Sequence, residues 1–80
     1  MFPLHPEIVE HAAQRGVAKK LAKQLALFRN NPFHPGLETE LLESRHLRIW
    51  SFRLDKKYRA IFIFRDANSV EIIDVNNHYR

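Results

Sequence analysis

The sequence predicts an α+β fold in which an N-terminal helical hairpin packs on a C-terminal antiparallel sheet of three to four strands. Two observations predict it. Apolar residues at positions 18, 21, 22, 25 and 28 recur along one helical face. Residues 50–80 then break into three short runs rich in aromatic and β-branched residues, separated by the polar turns Asp55-Lys56-Lys57 and Asp66-Ala67-Asn68.

The first helix is expected to start at Pro6, since a proline N–H would be unbonded in a first helical turn anyway. Glu7 suits the positive helix end. Ile8, Val9, Ala12 and Ala13 form a short apolar stripe, and Gly16 ends it with a turn. A second helix is expected over 17–29. Ala18, Leu21, Leu25 and Phe28 would face the core, and Lys19, Lys20, Lys23 and Gln24 would face away. Together the two make a helical hairpin. Asn30-Asn31-Pro32 closes the second helix, because a residue before proline avoids the α region.

Phe33-His34-Pro35-Gly36 reads as an irregular connection, with His34 a loop histidine. Residues 37–43 fit either a short helix or an extended segment. In the next strand, Arg48, Trp50, Phe52 and Leu54 would share one face, against Leu47, Ile49, Ser51 and Arg53. In the one after, Tyr58, Ala60, Phe62 and Phe64 oppose Arg59, Ile61, Ile63 and Arg65. A third strand covers 70–75. Arg53 and Arg59 fall near one turn on adjacent strands, and the turn decides whether they share a face, since a one-residue slip reverses a strand. If they do, either something anionic lies between them or each pairs with a local carboxylate such as Asp55 or Asp74.

Composition bounds the function. Eighty residues make a single domain, 1–80. A chain this short buries only about 60% of the surface it exposes unfolded. No cysteine is present, which excludes disulfides and thiolate metal sites and is compatible with a reducing cytoplasm. The longest apolar run, 60–64, falls far short of the ~20 residues of a membrane span. The first seven residues do not resemble a signal peptide. Thirteen Lys and Arg against nine Asp and Glu give a formal charge of +4, which suits either a solvated basic surface or an acidic partner.

The chain resembles the RelE/ParE superfamily of type II toxin–antitoxin toxins, and within it the YoeB-like branch of mRNA interferases. The resemblance rests on Asn31-Pro32, His34-Pro35-Gly36-Leu37, Trp50-Ser51-Phe52-Arg53, Tyr58-Arg59-Ala60-Ile61-Phe62, and Asp74-Val75 followed by His78-Tyr79. Its motifs span residues 31–79. The family fold places a strand before the helical hairpin. Only five residues precede the first helix here, so the leading strand is expected to be short or missing, with a sheet edge left exposed.

The resemblance implies a toxin that cuts messenger RNA on the ribosome, in the cytoplasm, with no cofactor and no metal. It places Glu40, Arg59, His78 and Tyr79 in the catalytic set. Metal-free cleavage needs a base for the 2′-OH, a cation for the transition-state charge and an acid for the 5′-oxygen. Acid and base are each worth roughly 10² to 10⁴ in rate. Glu40 would be the base, Arg59 the permanent cation and His78 the acid, with acid and base exchangeable. Arg53 and Tyr79 would position RNA, and Arg48, Lys56, Lys57 and Arg65 would add backbone contacts. No HxxxH-type spacing suggests a metal. The implied partners are a cognate antitoxin, mRNA and the ribosome, but no membrane. The exposed edge also invites pairing with a second copy. The alternative is a non-catalytic ParE-like gyrase inhibitor or an inactive antitoxin-binding relative; a gyrase inhibitor would not need the Glu40, Arg59, His78, Tyr79 set.

Overall fold

The computed structural model describes residues 3–42 and 48–77. Helices α1 (Pro6–Gln14) and α2 (Ala18–Asn30) are followed by a 3-10 turn, Pro35–Leu37. Four antiparallel strands come next: β1 (Glu40–Leu41), β2 (Ile49–Arg53), β3 (Arg59–Asp66) and β4 (Ser69–Asn76), in spatial order β1-β2-β3-β4. Among the described residues no strand precedes α1. No helix among them is long and apolar enough to cross a membrane.

Local chemistry accounts for the helix ends. Pro6 sits in the first turn of α1, and the His5 Nδ1 accepts from the Glu7 N–H at 3.1 Å, capping an otherwise unbonded donor. Gly16, at φ 72°, makes the left-handed turn between the helices that a Cβ would disfavour. His34 repeats the cap on the 3-10 turn, its Nδ1 accepting from the Gly36 N–H at 3.0 Å. Of the segment left open between helix and extended structure, Leu37 closes the 3-10 turn, Glu38 is left-handed, and Glu40 and Leu41 are a strand pairing with Ser51 and Trp50.

The buried face of α2 is Leu21, Gln24, Leu25 and Phe28. Ala18 is exposed, and Val17, the residue before the helix, is buried in its place. Gln24, expected to face solvent, is only 8% exposed. Its Nε2 donates to the Gly36 carbonyl at 3.1 Å and to the Arg53 carbonyl at 2.7 Å. A buried carbonyl needs a donor, and apolar periodicity does not register that need.

The core lies between the hairpin and one sheet face. Phe28 stacks on Phe52 and meets Phe62 edge-on, both at 4.9 Å between ring centres. Around them pack Ile8, Ala12, Val17, Leu21, Leu25, Leu37, Leu54, Ala60, Val70, Ile72 and Val75. The strand faces headed by Trp50 and Tyr58 in the sequence are the core-facing ones. Arg48 departs from that alternation, because its backbone is left-handed at φ 50°. Two irregularities interrupt the β3–β4 pairing. One makes Ile73 the extra residue between the Asp74 and Ile72 pairs, and Ile73 is exposed. The other does the same for Arg65, between the Phe64 and Asp66 pairs.

Candidate phosphate-handling site on the outer sheet face

Strand register places Arg53 directly opposite Arg59. The two therefore share a face, away from the core residues Phe52 and Ala60 that neighbour them in sequence. Across the sheet, Arg53, Arg59 and Asn76 form one row, and Glu40, Ser51, Ile61 and Asp74 the next. The hairpin that fixes this register turns on Asp55. Its Oδ1 accepts from the Lys57 N–H at 2.8 Å and the Tyr58 N–H at 2.7 Å, and its Oδ2 from the Lys20 Nζ at 2.9 Å. The Tyr58 amide and then Lys20 hold the carboxyl down at a pKa of about 2.

Arg59 is the more constrained guanidinium, with its side chain 21% exposed. Its Nε donates to the Ser51 Oγ at 2.6 Å, its Nη2 donates to the Glu38 carbonyl, and Glu40 lies at ion-pair distance, 3.7 Å. Ser51 is wholly buried, so this hydrogen bond fixes the plane of the guanidinium at its root. Arg53 donates through Nη1 to the Glu38 carboxylate at 2.5 Å and through Nε to the Asp55 carbonyl at 3.3 Å. Glu38 thus meets both arginines, one through its side chain and one through its backbone. The hydrogen bond and charge of Arg53 hold the Glu38 carboxyl below the ordinary carboxylate range, and Arg59 adds to the effect. The carboxylate partner of Arg59 is Glu40, and neither Asp55 nor Asp74 takes that part. Asp55 is engaged by Lys20, and Asp74 lies 3.8 Å from the His11 Nδ1.

The fold brings together Glu40, Arg53 and Arg59 from the residues singled out in the sequence. Lys56 and Lys57 rim the same concavity, of about 360 Å³, which Glu38, Arg53, Asp55 and Arg59 complete. Arg48 and Arg65 lie elsewhere. Arg48 precedes β2, at the opposite end from Arg53. Arg65 sits six residues along β3 from Arg59, ~20 Å away at strand rise, and its Nε donates to Glu71 at 2.6 Å. His78 and Tyr79 lie outside the described residues. Sequence reasoning missed Ser51 and Glu38. The signal for Ser51 was a small polar residue in the strand face that holds Arg53. For Glu38 it was the two-residue spacing from Glu40.

The chemistry open to this face is anion binding beside an accessible carboxylate. Glu40 is 58% exposed and sits next to a guanidinium whose orientation is set from below. Among the described residues, no three His, Cys, Asp or Glu side chains converge as a metal site would require.

No family model matches the chain, and no curated protein does. Solved structures do. A YoeB/ParE toxin from Agrobacterium tumefaciens superposes with a TM-score of 0.64 at 21% identity, over 91% of this chain and 85% of that one. A YoeB-YefM complex from Staphylococcus aureus superposes with a TM-score of 0.66 at 23% identity, over 95% and 93%. The chain therefore has the fold of the YoeB/ParE toxins, the architecture that the sequence resemblance implied.

Proposed function

We propose that the chain is the toxin of a type II toxin–antitoxin pair, a metal-independent endoribonuclease that cuts messenger RNA on the ribosome in the cytoplasm. The observation that carries this reading is the Arg59 guanidinium, aligned by buried Ser51 and set 3.7 Å from an exposed glutamate on the outer sheet face. In the reaction, Glu40 accepts the 2′-OH proton and the 2′-oxygen attacks phosphorus. The bond to the 5′-oxygen breaks as His78 protonates it. Arg59 neutralises the charge that builds on the phosphate oxygens. The products are a 2′,3′-cyclic phosphate and a 5′-hydroxyl. The roles of His78 and Tyr79 come from the sequence resemblance. Among the described residues, β4 ends at Asn76, the register partner of Arg59.

The fold shared with the YoeB-YefM complex supports an antitoxin partner for this chain as well. The decisive test is translation in a cell-free system with the purified chain. Wild type should cut ribosome-bound message and leave cyclic phosphate ends, while Arg59→Ala and Glu40→Ala should each cut at least ~100-fold more slowly. Intact message together with inhibited gyrase would replace this reading with the non-catalytic one.

A further inference from the structure

We propose that Glu38 is a built-in anionic occupant of a phosphate subsite centred on Arg53, displaced when a nucleic-acid phosphate binds there. This rests on the RNA-cleaving reading above. Like charges placed directly opposite on paired strands destabilise a sheet, and Arg53 and Arg59 are such a pair. Glu38 resolves the conflict by putting its carboxylate on Arg53 and its carbonyl on Arg59.

Three features mark the carboxylate as replaceable. Its side chain is 55% exposed, so leaving Arg53 costs little desolvation. The surrounding concavity is lined by four cations, Arg53, Lys56, Lys57 and Arg59. Of its two carboxylates, Asp55 is already engaged by Lys20 and two backbone N–H groups. Glu38 on Arg53 and Glu40 on Arg59 are therefore the carboxylates set against these four cations, and a phosphate, with more charge and a matched fork geometry, competes well for Arg53.

The backbone carries the third feature. Glu38 is left-handed, at φ 46° and ψ 51°, a conformation disfavoured for any residue with a Cβ. It is held there between the wholly buried Leu37 and a 3.2 Å hydrogen bond from its N–H to the Pro35 carbonyl. This geometry aims carbonyl and carboxylate at different arginines. Rotating the side chain away frees Arg53 while the carbonyl still holds Arg59 in place. Glu38 would therefore weaken capture of loosely bound polyanions without disturbing the reacting arginine.

The test uses the full chain and a 2′-O-methylated oligoribonucleotide, which cannot be cleaved, with affinity measured over a range of KCl concentrations. Glu38→Gln should tighten binding roughly 3- to 10-fold near 0.1 M salt and steepen the salt slope by about 1, one more phosphate contact. Glu38→Gly, which accepts the left-handed backbone, should match it. In an Arg53→Gln background the gain should fall below about twofold, because the effect acts through Arg53. Unchanged or weaker binding by both Glu38 variants, an undiminished gain without Arg53, or no RNA binding by any variant would each overturn the proposal. Message cleavage is scored separately. Tighter binding with no cleavage by wild type would sink the nuclease reading and leave the subsite standing.

Discussion

On one face of β2 and β3, Phe52, Ala60 and Phe62 are wholly buried against the helical hairpin. On the other, one residue away in sequence, Ser51, Arg53 and Arg59 meet Glu38 and Glu40. The first face is specified redundantly. Phe62 contacts the rings of Phe28, Trp50, Phe52 and Phe64, so no single contact decides its place. The second face depends on a few directional hydrogen bonds, from Arg59 to the Ser51 hydroxyl and the Glu38 carbonyl and from Arg53 to the Glu38 carboxylate and the Asp55 carbonyl. Apolar packing tolerates approximation, whereas a charged cluster needs each donor matched to an acceptor. The two faces are also joined. Gln24 reaches from the helix to the Arg53 carbonyl, and Lys20 reaches to the Asp55 turn.

The comparison breaks most severely at Phe62. Phe62→Ala should cost about 3–5 kcal/mol, a large share of the stability of so small a domain. Thermal unfolding followed by circular dichroism should show the protein largely unfolded at 37 °C. A well-folded variant would mean that the hairpin, rather than the ring cluster, holds the core.

Next is Gln24→Leu, which leaves the Gly36 and Arg53 carbonyls without their donor. Denaturant titration should show a loss of about 1–3 kcal/mol. Message cleavage should fall as well, because the end of β2 that carries Arg53 is released. A loss of stability with full activity would show that the outer face is set by the strands alone.

Asp55 sharpens the same link through pH. Its folded pKa of about 2 lies below the ordinary value of 3.8. The ionised carboxylate therefore stabilises the fold above about pH 4, and that stabilisation is lost as pH falls toward 2. The difference amounts to about 1–2 kcal/mol at neutral pH. In Asp55→Asn, the stability difference from wild type should shrink steadily between pH 4 and 2. A constant difference across that window would assign the turn's stability to packing.

Ser51→Ala should have the smallest effect on folding, within ~1 kcal/mol, since Arg59 keeps its contact with the Glu38 carbonyl. Its cleavage rate should nonetheless fall about tenfold, equivalent to ~1.4 kcal/mol in the barrier. Ser51→Thr, which keeps the hydroxyl, should recover part of the rate. Equal activity in wild type and Ser51→Ala would remove Ser51 from the site.

Much of the core face was legible in the sequence because burial leaves a periodic trace. Leu21, Leu25 and Phe28 recur at helical spacing, and Phe52, Ala60 and Phe62 fall in alternating runs. Gln24 was misplaced for the same reason, since a periodicity of apolar residues assigns any polar residue to solvent. On the outer face, the residue types were visible but their convergence was not. Arg53 and Arg65 each lie six residues from Arg59 in sequence, yet the register sets Arg53 directly opposite Arg59, while Arg65 lies about 20 Å along the strand and binds Glu71.

Sequence alone determined that a hairpin of helices would cover a sheet with an aromatic interior, because apolar spacing and turn residues are local properties. It also supplied the motifs whose resemblance pointed to Glu40 and Arg59. The tertiary structure decided the register that puts Arg53 opposite Arg59, and the left-handed Glu38 that lies between them. Register and backbone handedness depend on how the Asp55 turn and buried Leu37 are held by distant residues. Long-range constraints of that kind leave no periodic mark on the chain.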